Sequence, residues 1–208
     1  MKNIFKKDRP RDTFFREKIT RIFSEKKYIV DIGGGLRLDP TKNNRKREHE
    51  WVDPYLKTVK YVVLDEVPDY KPDIVGDVHN LPLLDNSVDA MICMHLLEHV
   101  EEPQKAMKEI HRVLKPGGYL YVDVPFIFYY HPMKGYYKDY YRFTKDGLEY
   151  MARDFTTIEI QNVRGALSTV MNMLPFFSRR TKIFEIIDRV INKENSEQTG
   201  AHRMFCIK

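Results

Sequence analysis

Tyr28-Ile29-Val30-Asp31-Ile32-Gly33-Gly34-Gly35 decides the fold. An apolar run carrying one acid passes directly into three glycines. The run predicts a buried strand. The glycines predict a turn in which backbone comes close to something bulky, since glycine tolerates positive φ and has no Cβ to hold a ligand away. In an open α/β sheet, ligands sit at the carboxyl ends of strands, so a cofactor is expected at this turn. Two more strands carry acids at their ends. Tyr61-Val62-Val63-Leu64-Asp65 leads into Glu66, and Pro72-Asp73-Ile74-Val75-Gly76-Asp77 leads into Val78. An acid after the second strand is placed to accept hydrogen bonds from two ribose hydroxyls. The Asp77 carboxylate beside the Val78 N–H offers an acceptor and a donor for an adenine edge.

The chain continues in the same alternating manner. The turn Asp85-Asn86-Ser87 precedes a fourth strand from Val88 to Met94. Pro103 opens a helix with Ala106, Met107, Ile110, Val113 and Leu114 on one face. Lys115-Pro116-Gly117-Gly118 is expected to end it with a left-handed glycine cap. Tyr119 to Val124 is a fifth strand, stopped by Pro125. Strands alternating with helices predict a three-layer, doubly wound α/β domain. Aromatic residues then crowd a loop over 125–144, and Thr144 is expected to cap a helix carrying Leu148, Met151 and Ala152. A strand over 156–163, amphipathic helices over 168–191 broken near Pro175, and a last strand from His202 to Ile207 complete the chain.

Upstream, residues 1–27 form a basic extension. Phe14, Phe15, Ile19, Ile22 and Phe23 fall on one face of a helix starting near Asp12, its expected N-cap. The simpler reading packs it on the domain edge; the sharper one holds an anionic membrane or substrate surface. Lys42, Arg45, Lys46 and Arg47 make a basic loop. A short helix from Glu48 to Leu56 carries Trp51, Tyr55 and Leu56 and is expected to be interrupted by Pro54. The domain proper is expected over 28–208, with a helical insertion at 166–193.

Composition sets the frame. In 208 residues, 42% hydrophobic and 31% charged side chains predict one globular domain with a sizeable core. No apolar run approaches the roughly 20 residues of a membrane span, and the basic N-terminus lacks the apolar segment of a signal peptide. Cys93 and Cys206 lie in strand-like runs and read as buried free thiols of a cytoplasmic protein. The net charge of +5 permits an anionic partner without demanding one.

VDIGGG at 30–35, VVLDE at 62–66, GDVHNLPLLDNSVDAMICMHLLEHVEEP at 76–103 and KEIHRVLKPGGYLYVDVP at 108–125 together resemble the class I S-adenosylmethionine-dependent methyltransferases, in particular their type 11 group. The likeness runs from about residue 28 to 157. It implies a seven-stranded, mostly parallel Rossmann-like sheet whose last strand is antiparallel, and S-adenosyl-L-methionine as cofactor. Carried over residue by residue, Gly33, Gly34 and Gly35 face the methionine part, Asp65 the ribose, Asp77 and Val78 the adenine, and Met94 or His95 the sulfonium. Asp31 and Glu66 complete the implied cofactor-binding set. Arg37 stands where the family usually has a third glycine, and the basic loop is an addition.

The stretch from Pro125 to Thr144 resembles a subset of these enzymes that accompany polysaccharide and glycolipid assembly. That implies a small-molecule or glycan acceptor, with His131 as first candidate for general base and Asp139 and Tyr140 behind it. The simpler reading has the tyrosines pack the loop and Arg142 tie it down. Other readings meet obstacles. His95-Leu96-Leu97-Glu98-His99 matches a zinc-peptidase pattern, which needs an uninterrupted helix; here a strand runs straight into His95, so no metal is expected. A nicotinamide dehydrogenase would need its third glycine at Leu38. A nucleic-acid methyltransferase could track phosphates with the basic segments, yet Met94-His95-Leu96-Leu97 is not the Asn-Pro-Pro-aromatic turn of base amino-group methylation. A catalytically inactive cofactor-binding or interaction protein is the non-enzymatic alternative.

Overall fold

The computed structural model describes residues 10–34, 38, 50–174, 176 and 181–208. Gly35, Arg37, the basic loop and Pro175 lie outside these residues. Seven strands form one sheet: β1 (Tyr28–Ile32), β2 (Lys60–Asp65), β3 (Ile74–Val75), β4 (Val88–Met94), β5 (Leu114–Pro125), β6 (Thr157–Asn162) and β7 (Ala201–Ile207). Their spatial order is 3-2-1-4-5-7-6. The first five pair in parallel, while β7 runs antiparallel between β5 and β6. Every residue of β4 but Asp89 is buried, as the continuous apolar run requires of a strand covered on both faces.

Two cores flank the sheet. On one face, Val30, Ile32, Leu64, Met91 and Val122 meet α3 (Pro103–Val113) through Ala106, Met107 and Ile110. On the other, Ile29, Ala90, Ile92 and Tyr121 meet α1 (Pro10–Glu25) through Phe15, Ile19, Ile22 and Phe23. Alternate residues of β1 thus serve opposite faces, as the two-residue period of a strand demands. The α1 helix is also tethered by charge. The almost fully buried Lys18 Nζ lies 2.7 Å from Glu159 on β6, and Arg21 donates to the Tyr119 hydroxyl at 3.0 Å. Cys93 and Cys206 are buried free thiols, and burial pushes that of Cys206 up to about 12.

Several local expectations need correction. Asp12 sits in the first turn of α1, which begins at Pro10, rather than capping it. Pro54 does not interrupt the helix near Trp51. It lies in the first turn of α2 (Asp53–Leu56), where a missing N–H costs nothing, after a 3-10 turn at Glu50–Val52; Glu48 is outside the described residues. The α3 helix ends without a glycine cap, because Leu114 is already extended. Gly117 does take φ +73°, but within β5, which starts at Leu114 rather than at the expected Tyr119; there its N–H donates to Lys208 O and its neighbour Gly118 O accepts from the Lys208 N–H. Tertiary pairing with the chain end outcompeted the local cap. Thr144 caps α4 (Lys145–Met151) as expected, its Oγ1 accepting from the Gly147 N–H at 3.1 Å. The last helices are α5 (Ala166–Met173) and α6 (Thr181–Val190). The buried Asp188 of α6 accepts from the Leu167 and Ser168 N–H groups, so one helix caps the other.

Candidate active site

The carboxyl ends of β1, β2, β3 and β4 meet where the strand order reverses between β1 and β4, the position at which open α/β sheets bind ligands. A pocket of about 410 Å³ opens there. Its floor comes from Ile32, Gly33, Leu64 and Asp65 at the ends of β1 and β2. Gly76 and Val78 follow β3, and His95 and Leu96 follow β4. The aromatic loop supplies the roof.

Gly33 has φ +66°, and a Cβ there would lie 3.1 Å from Leu96 Cδ1, so both conformation and space call for glycine. Asp65 is nearly buried, and its Oδ1 accepts from the Val67 N–H at 2.9 Å, which holds the carboxylate at the pocket edge. Glu66 and Val78 also line the cavity. Other expected contacts face elsewhere. Asp31 is fully buried and accepts a hydrogen bond from the Tyr61 hydroxyl, beside Gly34, outside the pocket lining. Met94 belongs to the core under α1. Asp77 turns to His79: burial pushes its pKa up, but the backbone and ring N–H groups of His79 at 2.8 and 2.6 Å outweigh this and leave it below the usual range.

The loop is built around one ion pair. Arg142 Nη1 and Nη2 grip Asp139 Oδ1 and Oδ2 at 2.6 and 2.7 Å, and the same guanidinium donates to the carbonyls of Phe128, Tyr129 and Tyr141. Asp139 Oδ2 also accepts from the His131 N–H. Hydrogen bonding to Arg142 pulls the Asp139 pKa down to about 2, so this carboxylate is a strut rather than a proton acceptor near neutral pH. Tyr140 donates to Glu101 Oε1 at the surface, and that bond raises its pKa. Among the three candidate catalytic residues, only His131 lines the pocket. Beside it the roof carries Tyr136, stacked on Tyr70 with ring centres 5.6 Å apart, and Tyr137, 4.3 Å from the His99 ring.

The sequence shows Glu98 and His99 only as part of a zinc-peptidase pattern that lacks its helix, and gives them no other role. The 3-10 turn Leu97–His99 follows β4 directly and buries Glu98 completely, with both carboxylate oxygens lacking a hydrogen-bond partner. His95 Nδ1, His99 Nε2 and His131 Nε2 lie 3.5, 3.9 and 3.9 Å from Glu98 Oε1. The zinc-peptidase pattern picked out two of these histidines, but its rejection on the missing helix did not anticipate a third arriving from the aromatic loop.

Comparison with known proteins agrees with this geometry. Residues 32–122 match the family model described as a methyltransferase domain of type 11. A demethylmenaquinone methyltransferase of Paenarthrobacter aurescens is 49% identical over 55 residues, 25% of this chain and 22% of that protein. A ubiquinone/menaquinone biosynthesis C-methyltransferase of Chromobacterium violaceum is 31% identical over 121 residues, 55% of this chain and 49% of that protein. In both cases the match spans less than half of the relative. A crystal structure of an S-adenosylmethionine-dependent methyltransferase from Archaeoglobus fulgidus superposes with a TM-score of 0.59 at 14% identity, covering 98% of this chain and 96% of that one. Sheet order and glycine turn give this chain the fold of the S-adenosylmethionine-dependent methyltransferases, and its residues 32–122 match their type 11 domain.

Proposed function

We propose that the protein transfers a methyl group from S-adenosylmethionine to a hydroxyl of a small acceptor, and that the acceptor bears a sugar ring. One observation carries the reading: a nucleoside-sized cleft and an aromatic, histidine-rich roof share a single pocket. On the cleft side, Asp65 and Glu66 would accept from the ribose hydroxyls, the Gly33 turn would admit the methionine end, and Val78 with Leu96 would sandwich the adenine. The residues present fit the group, since the glycine leaves room and the acids supply acceptors for a ligand rich in donors. Asp31, Gly34 and Asp77 then act on the cofactor indirectly, by shaping the β1 and β3 turns.

The cofactor supplies a methyl group already activated by positive sulfur. What remains for the protein is to hold an acceptor oxygen in line with the S–CH3 bond, a positional advantage that can be worth several kcal/mol. The Tyr70–Tyr136 stack and Tyr137 offer flat faces suited to a sugar ring. His95, His99 and His131 give the methyl-receiving end its capacity to handle a proton.

The test is calorimetry with S-adenosylhomocysteine, followed by acceptor screening with radiolabelled donor. Asp65→Ala should weaken nucleoside binding at least about tenfold, the worth of one charge-assisted hydrogen bond. Tyr136→Ala should leave that affinity within about twofold while lowering turnover on glycan acceptors. No heat with the wild-type chain, or equal affinity in Asp65→Ala, would overturn the cofactor assignment. Methylation confined to acceptors without a sugar would overturn the acceptor class.

A further inference from the structure

We propose that Glu98, His99 and His131 hold one divalent transition-metal ion at the acceptor end of the pocket. The ligand atoms of the three side chains lie within 4.8 Å of one another. Both imidazole Nε2 atoms stand 3.9 Å from the same Glu98 Oε1. Around a tetrahedral ion with bonds of about 2.1 Å, donor atoms sit about 3.4 Å apart, so closure of roughly half an ångström on each Glu98–histidine distance, and of at most about 1.4 Å between the imidazoles, completes the site.

Three features point to a cation rather than to a chance cluster. First, Glu98 is fully buried and both its oxygens lack a hydrogen-bond partner. A carboxylate withdrawn from water without compensation is strongly unfavourable, so a positive partner is called for. Arg142 does not serve, because its N–H groups are committed to Asp139 and to three backbone carbonyls. Second, the outer nitrogens of the imidazoles are already engaged. His99 Nδ1 is 2.7 Å from the Lys138 carbonyl. His131 Nδ1 is 3.0 Å from the Tyr129 carbonyl and 3.2 Å from Asp139 Oδ2. At His99 the neighbour only accepts; at His131 the two acceptors lie closer to Nδ1 than Arg142 Nη2 at 3.5 Å, whose N–H groups already go to Tyr129 O and Asp139, so each ring carries its proton on Nδ1 and leaves the Nε2 lone pair aimed inward. A carbonyl or carboxylate behind a ligating histidine is the usual outer shell of a metal site. Third, with both ring protons on Nδ1, two Nε2 lone pairs and a carboxylate converge, and the neighbouring His95 Nδ1 stands no closer than 3.5 Å to Glu98 Oε1, so the trio is repulsive without an ion.

Two imidazoles and one carboxylate select a borderline ion of the zinc, iron, cobalt or manganese type over magnesium or calcium, which prefer all-oxygen sites. His99 and His131 both line the pocket, so a remaining coordination position faces the bound acceptor. The role of the ion rests on the methyl-transfer reading; its binding does not. A hydroxyl coordinated there becomes acidic. Its proton is released to solvent water at the mouth of the pocket. The oxygen lone pair forms the new O–CH3 bond, the S–CH3 bond breaks with its electrons kept on sulfur, and a neutral thioether leaves. His131 is then a ligand, and the ion replaces it as the source of the reactive oxygen.

The experiment uses the untagged full chain, stripped with chelator and titrated with Co2+ alone, read by calorimetry and by visible absorption of the ion. One Co2+ per chain is expected. Glu98→Gln, His99→Ala and His131→Ala should each lower the affinity at least about tenfold and alter the spectrum, with circular dichroism unchanged. Unaltered Co2+ binding in the folded His99→Ala/His131→Ala double variant, or no Co2+ binding by the wild type, would overturn the site. Titration with S-adenosylhomocysteine on the same stripped sample separates the two ideas: nucleoside binding without Co2+ binding removes the metal and leaves the methyltransferase reading in place.

Discussion

Replacing Gly34 by alanine tests the packing of the turn that positions the pocket floor. Gly34 does not have positive φ, so the cost of a side chain there is steric and not conformational. A Cβ would lie 2.3 Å from Asp31 Cγ and 2.5 and 2.6 Å from its two oxygens. Ordinary contact needs at least 3.4 Å, so something must yield by about 1 Å. Asp31 is poorly able to do so. It is fully buried on β1, registered against Val63 and Ile92, and bonded to the Tyr61 hydroxyl. Overpacking of this kind costs about 1–3 kcal/mol, and an immobile neighbour puts Gly34→Ala near 2–3. In a domain of this size that lowers Tm by roughly 4–12 °C. Asp31→Ala removes the three atoms that the new methyl group strikes. It should destabilise by itself, because the Tyr61–Asp31 hydrogen bond is lost, yet Gly34→Ala should cost less than about 0.5 kcal/mol in that background. The measurement is a double-mutant cycle from urea unfolding at constant m-value. Additive costs, or a Gly34→Ala midpoint equal to wild type, would refute the steric argument.

Two further outcomes follow from the same structure. Thr144→Ala should cost about 1 kcal/mol by removing the cap on α4, while Thr144→Ser should restore most of it. Glu109 is held below its usual pKa chiefly by the hydrogen-bonded Arg112 fork at 2.8 and 2.7 Å, with the Leu81 N–H at 2.9 Å assisting against burial. A depressed folded pKa means this stabilisation is fully present above the ordinary glutamate range and fades as pH falls through the lowered value. Wild type should therefore lose stability between about pH 5 and 3 more steeply than Glu109→Gln, as read from urea midpoints across that range. Parallel slopes would show that the fork contributes nothing.

Much of the architecture was legible from hydrophobic period and punctuation. β1 and β4 coincide with the apolar runs 28–32 and 88–94, and Pro103 opens α3. Those segments are buried on both faces or along one helical stripe, so the pattern itself records their environment. Helix ends were less legible. Lys115-Pro116-Gly117-Gly118 reads as a local helix stop, but α3 ends at Val113 and Lys208, far along the chain, claims the backbone groups of both glycines.

For the site, the chain alone determined that a glycine turn follows β1 and that acids end β2 and β3, because these are local consequences of residue type. It did not determine which acids face the cavity. Asp65 does, whereas Asp31 and Asp77 are drawn to Tyr61 and His79. Nor did it join Glu98 and His99 to His131, since their meeting depends on how Arg142 and Asp139 fold the aromatic loop over the end of β4. Spacing along a strand or helix encodes what is near in sequence. Only the folded chain decides which lone pairs converge across more than thirty residues, because closing that loop is settled by tertiary hydrogen bonds and burial.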